Sequence, residues 1–153
     1  MTMPWLRSGM KPVLQSEAAE CGLAAVTMVA SHYGHQVNLS GLRRRFPTSI
    51  KGATLPQLMA IASDLGLAPR AVRLEIAELQ KLQLPAILHW DLNHFVVLEA
   101  VTAKQAIVLD PAKGRQSITH AQLGRHFTGV ALELKPTTDF KPVVARPTTR
   151  LSD

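Results

Sequence analysis

Hydrophobic positions fall into two regimes along the chain. Over the first half they recur at helical spacing. From Glu20 or Cys21 to Tyr33 almost every position is apolar, with Leu23, Ala24, Val26, Met28, Val29 and Ala30 covering most sides. Such a helix belongs in the middle of a fold. Gly34 follows as its left-handed C-cap. Ser40 reads as the N-cap of a short helix that turns Leu42 and Phe46 inward and stops at Pro47. Thr54 caps a third helix, with Pro56 in the first turn and Leu58, Ile61, Ala62 and Leu65 as its apolar stripe; Gly66 closes it. A helical turn over Ile76 to Gln80 follows, with no strand assigned before it. From Pro85 the period changes. Strands are expected at Ala86–Trp90, His94–Val101, Gln105–Asp110, Gly114–Thr119 and Val130–Lys135, with a helix over His120–Phe127 capped by Thr119. Helices first and antiparallel strands second make an α+β fold, an N-terminal helical half packed on a C-terminal antiparallel sheet.

Composition narrows the class. With 153 residues, 46% hydrophobic and 18% charged, the chain is one domain with a full core. No signal peptide and no membrane-spanning stretch is visible. The net charge of +6 raises the question of nucleic acid. The basic residues are scattered, apart from Arg43-Arg44-Arg45, and no aromatic residues interleave with them. That run reads as a solvated helix face, and no nucleic-acid partner is expected. No phosphate loop for ATP, other cofactor motif or metal-ligand set is assigned. After Pro136 the chain turns to Thr, Pro, Arg and Lys without periodicity, as a linker does.

The candidate chemistry starts at the lone cysteine, Cys21, which fits a reducing compartment. It stands where the first helix begins, and the positive end of a helix dipole favours a thiolate. Gln15, six residues upstream, supplies a neutral donor that can point at the same place. A nucleophile of this kind needs an imidazole and a group to orient it. His32 and His35 lie about three turns along the helix, over ~15 Å away. His120 and His126 sit in a polar helix and read as exposed. His89 and His94 remain. His94 opens a strand whose neighbour ends in Asp110. If the connecting loop is Thr102-Ala103-Lys104, Val101 opposes Gln105 and Asp110 opposes Val96, on the His94 face and one diagonal step away. An even loop puts Asp110 on the wrong face. A Cys21–His94–Asp110 site therefore requires an odd loop or a bulge. Cys21 alone reads equally as a small buried hydrophobe, and Asp110 as an Asp-Pro turn former.

Gln15-Ser-Glu-Ala-Ala-Glu-Cys-Gly22, His94-Phe-Val-Val97 and Asp110-Pro-Ala-Lys-Gly114 together resemble the C39 peptidase domain of bacteriocin-exporting ABC transporters of the colicin V secretion and processing type. The resemblance runs from about Pro12 to Leu134. It includes Leu42–Phe46, Lys51–Leu55, Pro85–Trp90 and Phe127–Glu133. It implies a papain-like cysteine peptidase that removes a double-glycine leader from a secreted precursor, on the cytoplasmic face of the bacterial inner membrane. Cys21 matches the nucleophile, His94 the general base, Asp110 the residue orienting it and Gln15 the oxyanion-hole glutamine. Partners so implied are the leader peptide and the transmembrane and ATP-binding domains of a parent transporter. Residues 1–11 are then a lead-in, 12–136 the peptidase domain, and 137–153 a tail toward an absent transmembrane domain, the chain alone being soluble. Asn93 and Trp90, beside His94, are candidates for narrowing the pocket to glycine, against ordinary packing. The alternatives are a non-catalytic C39-like substrate-binding domain and another papain-like amidase.

Overall fold

A computed structural model describes residues 10–15, 18–35, 37–47 and 52–137. Most of the expected lead-in and tail lies outside them. The core helix is present as expected. A 3-10 turn, Ala18–Glu20, runs straight into α1 (Cys21–His32), in which every residue from Cys21 to Ala30 is buried. Gly34 takes φ 96°, the left-handed conformation that ends the helix. α2 (Leu39–Arg45) starts earlier than expected. Its cap is Asn38, not Ser40: the Asn38 side chain accepts from the Gly41 N–H at 2.7 Å. Asn ranks with the strongest N-caps, and capping two residues earlier brings Leu39 into the helix, where it is buried with Leu42. α3 (Leu55–Asp64) carries the full capping box, Thr54 with Gln57, and its stripe of Leu58, Ile61, Ala62 and Leu65 is buried.

Six antiparallel strands form one sheet in the order β1-β6-β2-β3-β4-β5. β1 (Leu67–Arg73) is the strand the sequence pattern does not show. It is a sheet edge, mostly exposed, and contains Pro69, which a central strand would not accept. It pairs along β6 (Phe127–Pro136), whose first residue, Phe127, was expected to end a helix; that helix stops at Gly124. β2 (Ala86–Trp90), β3 (His94–Val101), β4 (Gln105–Asp110) and β5 (Gly114–Thr119) have the expected bounds. Alternation along them builds two cores. Ile87, Phe95, Val97, Leu109 and Leu132 face α1, α2 and α3. Leu88, Trp90, Val96, Leu98 and Val108 face the other way, onto Leu79 of a 3-10 turn (Ile76–Lys81) and Leu123 of α4 (His120–Gly124).

The arginine run is not a plain solvated face. Arg43 forms a two-point ion pair with Glu20, the residue immediately before Cys21, and Arg45 pairs with Asp64 of α3 at 2.7 Å. The Glu20 side chain is only 6% exposed, so its carboxylate depends on that guanidinium. Replacing Arg43 by Met is expected to cost about 1–3 kcal/mol in urea unfolding. Arg44→Ala, on the exposed side, should stay within about 0.5 kcal/mol.

Candidate active site

The register between β3 and β4 decides whether His94 and Asp110 can meet. Val101 faces Ala106 rather than Gln105, so four residues, 102–105, separate the last paired positions, an even number that by itself would keep the two apart. Thr102 and Gln105 close it with a 2.8 Å backbone bond. An unbroken ladder from there would set Asp110 opposite Val97, facing α1–α3. A register shift between Leu98 and Ala100 intervenes. Beyond it Leu98 faces Val108 and Val97 faces Leu109, and the same register carries Asp110 to Val96. The bulge returns Asp110 to the face of His94, and the two groups meet: Asp110 Oδ1 lies 2.7 Å from His94 Nε2. The bulged residue, Glu99, has a side chain only 4% exposed, held by Arg115 of β5 at 3.0 Å. Arg115 also donates to the Met10 carbonyl, at the start of the segment that carries Gln15.

Cys21 reaches this pair from α1. The residue is 5% exposed and continuous with the apolar core. Its sulfur is nevertheless the second polar neighbour of the His94 ring: together with the Asp110 hydrogen bond, the nearness of Cys21 raises the imidazole pKa to about 9, against an opposing push from burial. With Nε2 committed to Asp110, Nδ1 is the nitrogen left for the thiol. Burial pushes the Asp110 carboxyl up, but the His94 bond, the Ala112 N–H at 2.8 Å and the charges of His94 and Lys113 outweigh it and hold it below its usual value. Gln15 is tied in by its backbone, which donates to the Pro111 carbonyl at 2.9 Å. Its side-chain amide oxygen is buried without a hydrogen-bond partner among the described residues. The structure thus gathers Cys21, His94, Asp110 and Gln15, which stand far apart in sequence, at one end of the sheet.

Two hollows flank the β2–β3 turn. One, of about 520 Å³, is lined by Gln15, His94 and Asp110 and extends over β5 to α4. The other, of about 550 Å³, lies between the turn and the N-terminus of α3, against Gly52, Thr54, Leu55 and Phe95. Asn93 lines both, and Trp90 the first. The turn is strained: Asp91 and Leu92 have φ 53° and 69°, and Leu92 stands 80% exposed. His89 Nε2 bonds the Leu92 carbonyl at 2.8 Å, and His126 bonds Asp91 through both backbone and side chain. His126 is not simply exposed, as the sequence suggested. It stacks on Trp90 with the ring planes 12° apart and forms part of the wall. Nothing local in the sequence marks it, because its partners come from β2.

The sequence profile of the peptidase C39 family matches residues 9–139. The chain belongs to that family. It is 47% identical over 131 residues to the colicin V secretion/processing ATP-binding protein CvaB of Escherichia coli, covering 85% of this chain and 19% of that protein. It is 44% identical over 141 residues to the probable microcin-H47 secretion/processing ATP-binding protein MchF of E. coli, covering 92% and 20%. The chain thus spans about a fifth of the length of these relatives. Among solved structures, a double glycine motif protease from an AMS/PCAT transporter, crystallised with its leader peptide, superposes with a TM-score of 0.78 at 39% identity, covering 83% of this chain and 92% of that one. The helical half on an antiparallel sheet is the papain-like C39 fold, and the buried cysteine beside a His–Asp pair marks a cysteine peptidase. No described helix is long and apolar enough to cross a membrane.

Proposed function

We propose that this C39 domain removes a double-glycine leader from a precursor peptide destined for export, cutting after Gly-Gly. The observation that carries the reading is His94: an imidazole bonded at Nε2 to Asp110, and held protonated at neutral pH, stands beside the lone thiol. In the proposed mechanism the Cys21 thiolate attacks the carbonyl of the second glycine. The Gln15 side-chain NH2 and the Cys21 backbone N–H stabilise the oxyanion, a term of about 3–4 kcal/mol per donor. His94 then gives its proton to the leaving amine, and the leader remains as a thioester on Cys21. Water, deprotonated by His94, attacks the thioester carbonyl and releases the leader acid and the Cys21 thiolate, leaving His94 protonated as at the start. Asp110 fixes the ring and stabilises its cation. The hollow between the β2–β3 turn and α3, walled by Asn93, is our choice for the residues before the cut, where Gly-Gly leaves no side chain to collide with it.

In its natural setting the domain would act at the cytoplasmic face of the inner membrane, joined to the transmembrane and ATP-binding parts of a transporter. The test is incubation with candidate leader peptides followed by mass measurement. A cut after Gly-Gly is expected. An intact Gly-Gly leader from protein whose thiol is alkylated rapidly would point instead to an amidase with another substrate.

A further inference from the structure

The hollow beside His94 holds more than the mechanism uses. The departing peptide begins at the His94 ring, because its new amine takes the ring's proton. The hollow lined by that ring, Gln15 and Asp110 is therefore the path for residues after the cut; the α3-side hollow contains none of the three. Its acidic groups are already committed. Asp110 is bonded to His94 and Asp91 to His126, at 2.7 and 2.8 Å. Two cations along its wall, Lys113 in the turn between β4 and β5 and Arg125 after α4, make no ion pair among the described residues. The amides of Gln116 and Gln122 line the wall between β5 and α4. The balance of charge open to a ligand is positive.

We propose that this hollow is a product-side subsite in which Lys113 and Arg125 select an Asp or Glu side chain among the first few residues after the cut. The inference rests on the peptidase reading and adds a preference within it. Exposed pairs are individually weak, so the two together should give roughly a three- to tenfold preference, weakened by salt.

The test uses synthetic leader–Gly-Gly peptides with Glu, Gln or Lys placed one position at a time over the first residues that follow. A leader–Gly-Gly–aminomethylcoumarin substrate, which lacks that segment, serves as reference. The expected result is kcat/KM in the order Glu, Gln, Lys at one or two positions, with a Glu/Lys ratio of roughly three to ten. The ratio should shrink in high salt, fall toward one in Arg125→Gln and invert in Lys113→Glu/Arg125→Glu. Because it compares substrates on the same protein, it does not depend on how much of a variant is active. Coumarin release with a ratio near one at every position overturns the subsite, as does a preference that charge reversal leaves unaltered. Absence of coumarin release and of all peptide cleavage overturns the peptidase reading, and the subsite with it.

Discussion

Cys21→Ala is expected to lower cleavage of a Gly-Gly leader peptide by about four to six orders of magnitude, to the limit of detection. The fold should survive. Cys21 is small and 5% exposed, and exchanging its thiol for hydrogen should cost roughly 1 kcal/mol. The expected signature is thus an unchanged circular dichroism spectrum with no product in the mass spectrum. Iodoacetamide should reproduce it at one equivalent per chain, since Cys21 is the sole cysteine. This result separates a peptidase from a domain that only binds exported substrates. A binding module would retain leader affinity in both proteins and show cleavage in neither, and an Ala variant that cut as fast as the parent would end the case for a thiol mechanism.

The sequence reveals the site's residues more fully than their geometry. Cys21 is conspicuous as the lone thiol at the head of an apolar helix, and His94 and Asp110 bracket two strongly patterned strands. Face alternation even stated the condition for their meeting. It did not say how the condition is met. A bulge depends on whether a residue in mid-strand has somewhere to go, and Glu99 leaves the ladder because Arg115, on β5, binds its carboxylate. That partner is invisible to any local pattern. The same cause explains the other departures. Arg43 looks solvated until α2 is laid against Glu20. β1 is a strand because β6 offers it an edge, not because its residues favour one. Local periodicity shows which residues are buried, whereas ion pairs between elements fix where the chain departs from periodicity.

Asp110→Asn should be the most informative change after loss of the thiol, because the carboxamide keeps the shape and removes only the charge. Asn can still accept the Ala112 N–H and the His94 ring proton through Oδ1. What disappears is the anion that contributes most to raising His94 to about 9. The imidazole pKa should fall, and kcat/KM at neutral pH should drop by about two to four orders of magnitude, the upper figure being that of the analogous change in serine peptidases. The alkaline limb of the pH profile should move to lower pH. Stability provides a second, independent readout. A histidine whose folded pKa is raised contributes stability that is complete below its ordinary value of 6.5 and is lost as pH rises toward 9. The parent's melting temperature should therefore decline across that interval, and that of the variant should change less. Asp110 acts in the opposite sense: its depressed pKa gives stability above the ordinary carboxylate range that is lost on acidification. A variant with the parent's alkaline limb and the parent's decline in melting temperature would mean that Asp110 does not hold the proton on His94, and the ring would then owe its charge to the Cys21 sulfur alone.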